Sequence, residues 1–303
     1  VSEPNPTRTE ARPPGAVTPL AKILAIGHAQ PVDAAGCIVN PCAPNLITAP
    51  WQPAVYELLT GCRQTLGPVL HSLYLRGSVP RGLAIDGVSD LDAIALVHGA
   101  PAGVENWVRS MDARVRAVHP GCRGVELRLW PLQGLARLTP QHPARFLLKT
   151  QALCLWGPDV AAPWPSVPLE DARIVLAALP SALARMRAAL HRHSGAEVAQ
   201  RRERCGWLAK KIVRAGFELV ALEEQAYTRD LHPCWEAFSR HHPQQAGPMR
   251  EVLALALEPT ANVHRIASAI AQGEWVLTQA VHSGRLPAPA HTPHPTSSMA
   301  VNS

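Results

Sequence analysis

Lysine is scarce in this sequence: only Lys22, Lys149, Lys210 and Lys211 occur among 29 basic residues, and arginine supplies the rest. With 30 prolines and abundant alanine, this reads as a high-GC coding bias, so arginine clusters alone say little about function. Aromatic residues make up 5% and charged residues 17% of the 303 positions, against 47% hydrophobic. That is too little charge for global disorder and enough apolar material for one large or two ordinary domains. No apolar run approaches the roughly eighteen residues that span a bilayer, and residues 1–14 are polar and proline-rich where a secretory leader would be apolar. The expectation is a soluble cytoplasmic protein with no membrane partner.

Other absences narrow the chemistry. The 7 cysteines are scattered, and Cys37 and Cys42, the nearest pair, lack the two-residue spacing of a zinc knuckle or redox motif, so they read as reduced thiols. The 14 histidines fall as HRH at 191–193, HH at 241–242 and isolated copies, with no HExxH, and no zinc site is assigned. A Walker sequence is also missing. The formal charge of +6 favours an anionic partner without choosing between a nucleotide and a polymer.

The pattern along the chain changes character near Pro165. Residues 1–20 and the last twenty are rich in Pro, Ser, Thr and Ala with no period that would bury a face, which predicts mobile tails. Val55, Leu58, Leu59, Cys62 and Leu66 stand at helical spacing behind Pro53. Strand-like runs follow at 71–77, 90–97 and 124–130, with a loop after the first and an amphipathic helix over 104–118 before the third. This order predicts an α/β first half. Beyond Pro165, segments 170–192, 197–226, 230–240, 248–258 and 260–281 read as helices separated by Gly and Pro, which predicts a helical bundle.

The informative stretch is LYLRGSVPRGLAIDGVSDLDAIALV. A Gly77-Ser78 turn closes one strand, and Asp90 and Asp92 open the next. Strand side chains alternate, so these carboxylates share a face about 7 Å apart. Two such groups at a strand's mouth suit Mg²⁺, which takes oxygen ligands and keeps sites for water and phosphates. Gly77 and Ser78 would let the backbone approach a phosphate closely.

These residues resemble the nucleotidyltransferase superfamily, whose hallmark is an apolar strand, Gly-Ser, a loop of roughly a dozen residues and Asp-x-Asp opening a strand. The aminoglycoside adenylyltransferases are among its members. The resemblance implies an α/β nucleotidyltransferase domain with a mixed sheet over 46–165 and an all-α helical domain over 166–283. A proline-rich, partly disordered segment (1–45) would precede them and a disordered tail (284–303) follow. It adds Glu126, the acidic residue of GVELRLW, as a third carboxylate, either a metal ligand or the base that takes the acceptor hydroxyl's proton. FLLKTQALCLWGPDV (146–160) looks like the family's linker with its aromatic-Gly-x-Asp turn. CGWLAKKIVRAGFELV and AYTRDLHPCWEAF resemble its helical part, which makes Lys210, Lys211, Arg214 and Arg229 candidates for the triphosphate. Where the aminoglycoside enzymes carry a lysine, this chain has Arg229-Asp230. The implied activity is Mg²⁺-dependent transfer of a nucleoside monophosphate, AMP from ATP, to a hydroxyl of a small molecule such as an antibiotic, with release of pyrophosphate.

Plainer readings stand beside these. Glu126 could be a solvated strand residue paired with Arg128, and Arg76 and Arg81 could flank the loop without touching phosphate. Lys210 and Lys211 could form a solvated helix face, and only one of two adjacent lysines should face a cleft comfortably. Trp207 and Trp235 could stack on a base or acceptor ring or simply fill the core. Competing functions are transfer to a protein or tRNA, a nucleotide-binding regulator, and a HEPN-type ribonuclease suggested by RMRAALH (185–191). The lack of a recognisable RNA-binding module counts against nucleic acid.

Overall fold

The computed structural model describes residues 23–287 apart from 100, 140 and 191–194. Of the segments read as tails, residues 1–22 and 288–303 lie outside the described residues, as does His191 of the RMRAALH motif. The elements run, in order, β1 (Gln30–Pro31), α1 (Gln52–Leu66), β2 (Leu70–Arg76), β3 (Leu91–Val97), α2 (Val104–Val118), β4 (Val125–Pro131), α3 (Pro143–Gln151) and β5 (Ala152–Trp156). They continue with α4 (Ile174–Leu190), α5 (Gly195–Glu224), β6 (Ala226–Tyr227), α6 (Leu231–His241), α7 (Ala246–Leu257) and α8 (Val263–His282). Among the described residues no helix is long and apolar enough to cross a membrane.

Four strands form a mixed sheet in the order β4-β3-β2-β5. Strand β2 is antiparallel to both β3 and β5, whereas β3 runs parallel to β4, the pair being joined by the α2 crossover that a parallel connection requires. Strand alternation then sorts the side chains. Leu73, Leu75, Ala93 and Ala95 pack with Leu58 and Cys62 of α1 and Met111 and Val115 of α2. Tyr74, Ile94 and Leu96 turn to the opposite face, where they meet Leu148 of α3 and Ala152. Asp92 has the parity of Ile94 and Leu96, and Glu126 that of Trp130, so the carboxylates emerge on the face away from α1 and α2.

In the helical half α5 is the central element, packed against α4, α6, α7 and α8. Leu176, Leu179, Ile212, Val213, Phe217, Phe238 and Val276 form its buried core.

One part of the structure differs from the sequence expectation. The segment read as a linker over 146–160 contains a fourth strand, β5, at the sheet edge. Helix α3 passes into it between Gln151 and Ala152 with no intervening residue, so no Gly or Pro marks the change. The segment before residue 46 is described from residue 23, and its part from 23 to 45 follows a defined path. Its β1 pairs with β6 of the helical half, and Ile38 joins the helical core. Gln30 and Gln151 exchange side-chain hydrogen bonds at 3.3 and 2.9 Å, and Asn40 Nδ2 donates to the Ala152 carbonyl at 2.8 Å. The strap is thus held by side-chain amides as well as by Ile38, and the amide contacts are ones that hydrophobic periodicity does not reveal.

Candidate functional site

Register builds the first wall of the site. Arg76 on β2 pairs with Asp92 on β3, and Asp92 pairs with Glu126 on β4, which puts the three side chains in one row across the sheet. Arg76 Nη2 lies 2.7 Å from Asp92 Oδ1 and 3.6 Å from Glu126 Oε1. Arg128, two residues along β4 and on the same face, donates from Nε to Glu126 Oε1 at 2.7 Å. Asp90 stands one residue before β3 and is exposed. Burial pushes the Asp92 carboxyl up to about 6; the Arg76 guanidinium opposes this, and the neighbouring Asp90 and Glu126 charges add to it.

Gly77 is needed for this geometry. Its φ is +85°, and a Cβ there would lie 2.6 Å from Asp92 Oδ2. Only glycine accepts both the left-handed backbone and the carboxylate pressed against it. Ser78 follows, and its carbonyl accepts from the amides of Arg81 and Leu83 at 3.2 and 3.0 Å.

The second wall comes from the helical half. A cavity of about 910 Å³ is lined on the sheet side by Arg76, Asp90, Asp92, Glu126, Arg128 and Trp130. Across it stand Trp207, Lys210, Lys211 and Arg214 of α5, with Arg229 of the turn after β6. All three candidate carboxylates and all four candidate cations therefore line one cavity. Gly77 and Ser78 do not line it; they form the turn beside Asp92. Both lysines reach the cavity, contrary to the expectation that only one would: Lys210 is exposed and Lys211 half-buried. Trp207 lines the cavity at 46% exposure, whereas the Trp235 indole donates to the Ala246 carbonyl at 3.2 Å and packs on the helical core.

The cations are crowded. Burial brings Arg214 down to about 10, with Arg229 contributing, and burial followed by the Arg229 and Arg185 charges lowers Lys211. Arg214 Nε donates to the Arg229 carbonyl at 2.9 Å, which ties α5 to the turn carrying the next cation. That turn is also tied to the Gly-Ser loop. Arg81 donates to both oxygens of Asp230 at 3.1 and 2.7 Å and from Nε to the Gly77 carbonyl at 3.0 Å.

Sequence reasoning missed two supporting residues. Asp230 was visible only as a departure from a family pattern, and its role as a bidentate partner of Arg81 depends on residues 149 positions apart. Glu218 was overlooked entirely. It is 1% exposed, and its oxygens accept from the amides of Val175 and Leu176 at 3.1 and 2.7 Å, capping α4 where Ile174 and Val175 line the cavity. A lone glutamate inside the apolar run AGFELVAL was the available signal.

No family model matches the sequence, and no curated protein matches it. The structure is similar to spectinomycin adenyltransferase AAD(9) from Enterococcus faecialis, solved with ATP and spectinomycin. The TM-score is 0.48 at 13% identity, covering 75% of this chain and 98% of the other.

The donor set bears on which ion the site could hold. Among the described residues no group of three or more His, Cys, Asp or Glu side chains comes close enough to hold a metal, so the three carboxylates line one cavity without forming a closed cluster. Glu126 is instead engaged by Arg128 and Asp92 by Arg76. A hard cation that takes one or two carboxylates and completes its shell with water and phosphate oxygens needs no third protein ligand. Asp90 and Asp92 fit that demand.

Proposed function

We propose that this protein is a nucleotidyltransferase that moves a nucleoside monophosphate, AMP from ATP, to a hydroxyl of a small molecule. The observation that carries the proposal is the shared cavity, with Asp90, Asp92 and Glu126 on its sheet wall and Lys210, Lys211, Arg214 and Arg229 on its helical wall. An all-cationic cavity would suit any anion. The carboxylates opposite the cations suit a phosphate chain with a divalent ion.

Asp90 and Asp92 would hold one or two Mg²⁺ ions, whose chemistry is to neutralise phosphate charge and favour attack at phosphorus. The four helical cations bind the β- and γ-phosphate oxygens and stabilise the charge that gathers on the leaving pyrophosphate. The acceptor oxygen attacks the α-phosphorus in line, a new O–P bond forms, and the bond to the β-phosphate oxygen breaks. Glu126 takes the hydroxyl proton, and Arg128 beside it holds the carboxylate in place. Arg76 keeps Asp92 oriented at the row's centre.

Pyrophosphate release from ATP with Mg²⁺ and a mixture of hydroxyl acceptors tests the reading. Release in the wild type and its loss in Asp90→Ala/Asp92→Ala supports transfer. Release that is equal in both proteins refutes the assignment of the site.

A further inference from the structure

Arg76 is the last residue of β2, and the register that pairs it with Asp92, and Asp92 with Glu126, sets it on the face where both carboxylates emerge. Its Nη2 reaches between them, 2.7 Å from Asp92 Oδ1 and 3.6 Å from Glu126 Oε1. A divalent ion bridging these two carboxylates would stand about 2 Å from the same oxygens, so ion and guanidinium exclude one another.

Moving the guanidinium aside is costly. The Arg76 side chain is 21% exposed, its Nε is buried without a hydrogen-bond partner, and among the described residues Asp92 and Glu126 are its only ion-pair partners. Withdrawn from them, it would keep its charge in a largely buried place with nothing to offset it. Asp90 and Asp92 Oδ2 differ, since among the described residues neither is paired with an arginine. They leave oxygen ligands for one ion.

The charge balance agrees. Six lysine and arginine side chains line the cavity against three carboxylates, an excess of three positive charges. A nucleoside triphosphate carries about −4, so with one divalent ion it brings the balance to about +1, whereas a second ion would return it to about +3. Two-ion sites, with their ions about 3.5–4 Å apart, use the second ion to stabilise charge at the reacting oxygens. Here a fixed cation already stands between the carboxylates.

We propose that the site takes a single divalent ion, on Asp90 and Asp92, and that the Arg76 guanidinium is a built-in second cation fixed between Asp92 and Glu126. This rests on the nucleotidyl-transfer reading above and narrows it: Glu126 receives the acceptor's proton and holds no metal. Arg76 is then a positioning residue that assigns one carboxylate to the ion and the other to the proton.

The test counts bound ions instead of product. Mn²⁺, which takes the same oxygen ligands as Mg²⁺, is titrated into the full chain mixed with an equimolar amount of α,β-methylene-ATP. Electron paramagnetic resonance reads the number of ions bound per chain and the broadening that marks a coupled pair. The wild type should bind one ion with the spectrum of an isolated centre. Arg76→Leu, which keeps bulk and loses the charge, should bind two with the coupled signal, and Arg76→Lys should return the count to one. Arg76→Gln repeats the neutral comparison, with circular dichroism checking the fold of each variant. Two ions or none in the wild type would overturn the inference whatever the variants do. A single ion in both neutral variants, or two in Arg76→Lys, would overturn it as well. Failure of the nucleotide analogue itself to bind, read separately by calorimetry, would refute the nucleotidyl-transfer reading and this inference with it.

Discussion

The two walls of the cavity are made by different rules. On the sheet wall, register sets both signs in one row: Arg76, Asp92 and Glu126 stand side by side, and each of these two carboxylates has an arginine within reach. On the helical wall, Lys210, Lys211, Arg214 and Arg229 share one sign, and Lys211 and Arg214 are pulled down by burial and by their neighbours. A self-compensated row is inexpensive to hold in the folded state. A crowd of like charges, two of them lowered by burial, is costly unless a ligand supplies the opposite sign, and that asymmetry suits a bound anion.

Several changes should sharpen or break this contrast. The largest effect is expected from Glu126→Gln, which should lower turnover about 100-fold while leaving the nucleotide KM within a few fold, as loss of a general base would. A drop of only a few fold would make Glu126 a strand residue paired with Arg128 and nothing more. Next is the strut between the walls: Asp230→Ala should destabilise the protein by about 2–4 kcal/mol in a urea titration, because Arg81 keeps its charge in a largely buried place without its partner. Asp230→Glu should recover part of that loss. Gly77→Ala should cost about 1–2 kcal/mol for the left-handed backbone, and it should reduce Mg²⁺-nucleotide binding by more than that loss of stability explains, since the added methyl displaces Asp92.

A further effect concerns pH. Burial raises the Glu218 carboxyl to about 7, against the pull of the Leu176 and Val175 amides and of Arg229 and Lys211. Between the ordinary carboxyl value of 4.5 and about 7 the folded protein keeps a proton that the unfolded chain releases, so stability should fall as pH rises through that window and level off above it. A fully developed slope is worth about 1.4 kcal/mol per pH unit. Comparing wild type with Glu218→Gln at pH 5 and pH 7 isolates this contribution. An unchanged difference between the two proteins would show that Glu218 does not titrate there.

The sheet wall was legible in the sequence because its information is local. Gly77, Ser78, Asp90 and Asp92 sit in one stretch of alternating residues, and Glu126 came from the family resemblance, as the acidic residue of the third strand-like run. Helical periodicity likewise marked α1 and α2. What escaped was set by distant packing or by polar contacts. Strand β5 follows a helix without a break, β1 and β6 are two residues each, and the strap before residue 46 is held by Gln30, Asn40 and Gln151 as well as by Ile38 in the helical core. The reach of both Lys210 and Lys211 into the cavity also depends on how α5 is set among its four neighbouring helices, which periodicity alone does not convey.

The central claim is that the two walls act on one nucleotide, and calorimetry of ATP with and without Mg²⁺ tests it most directly. The account predicts saturable Mg²⁺-dependent binding in the wild type and at least a tenfold loss both in Asp90→Ala/Asp92→Ala and in Lys211→Ala/Arg214→Ala. Wild-type affinity in either variant, with the fold intact by circular dichroism, would contradict it.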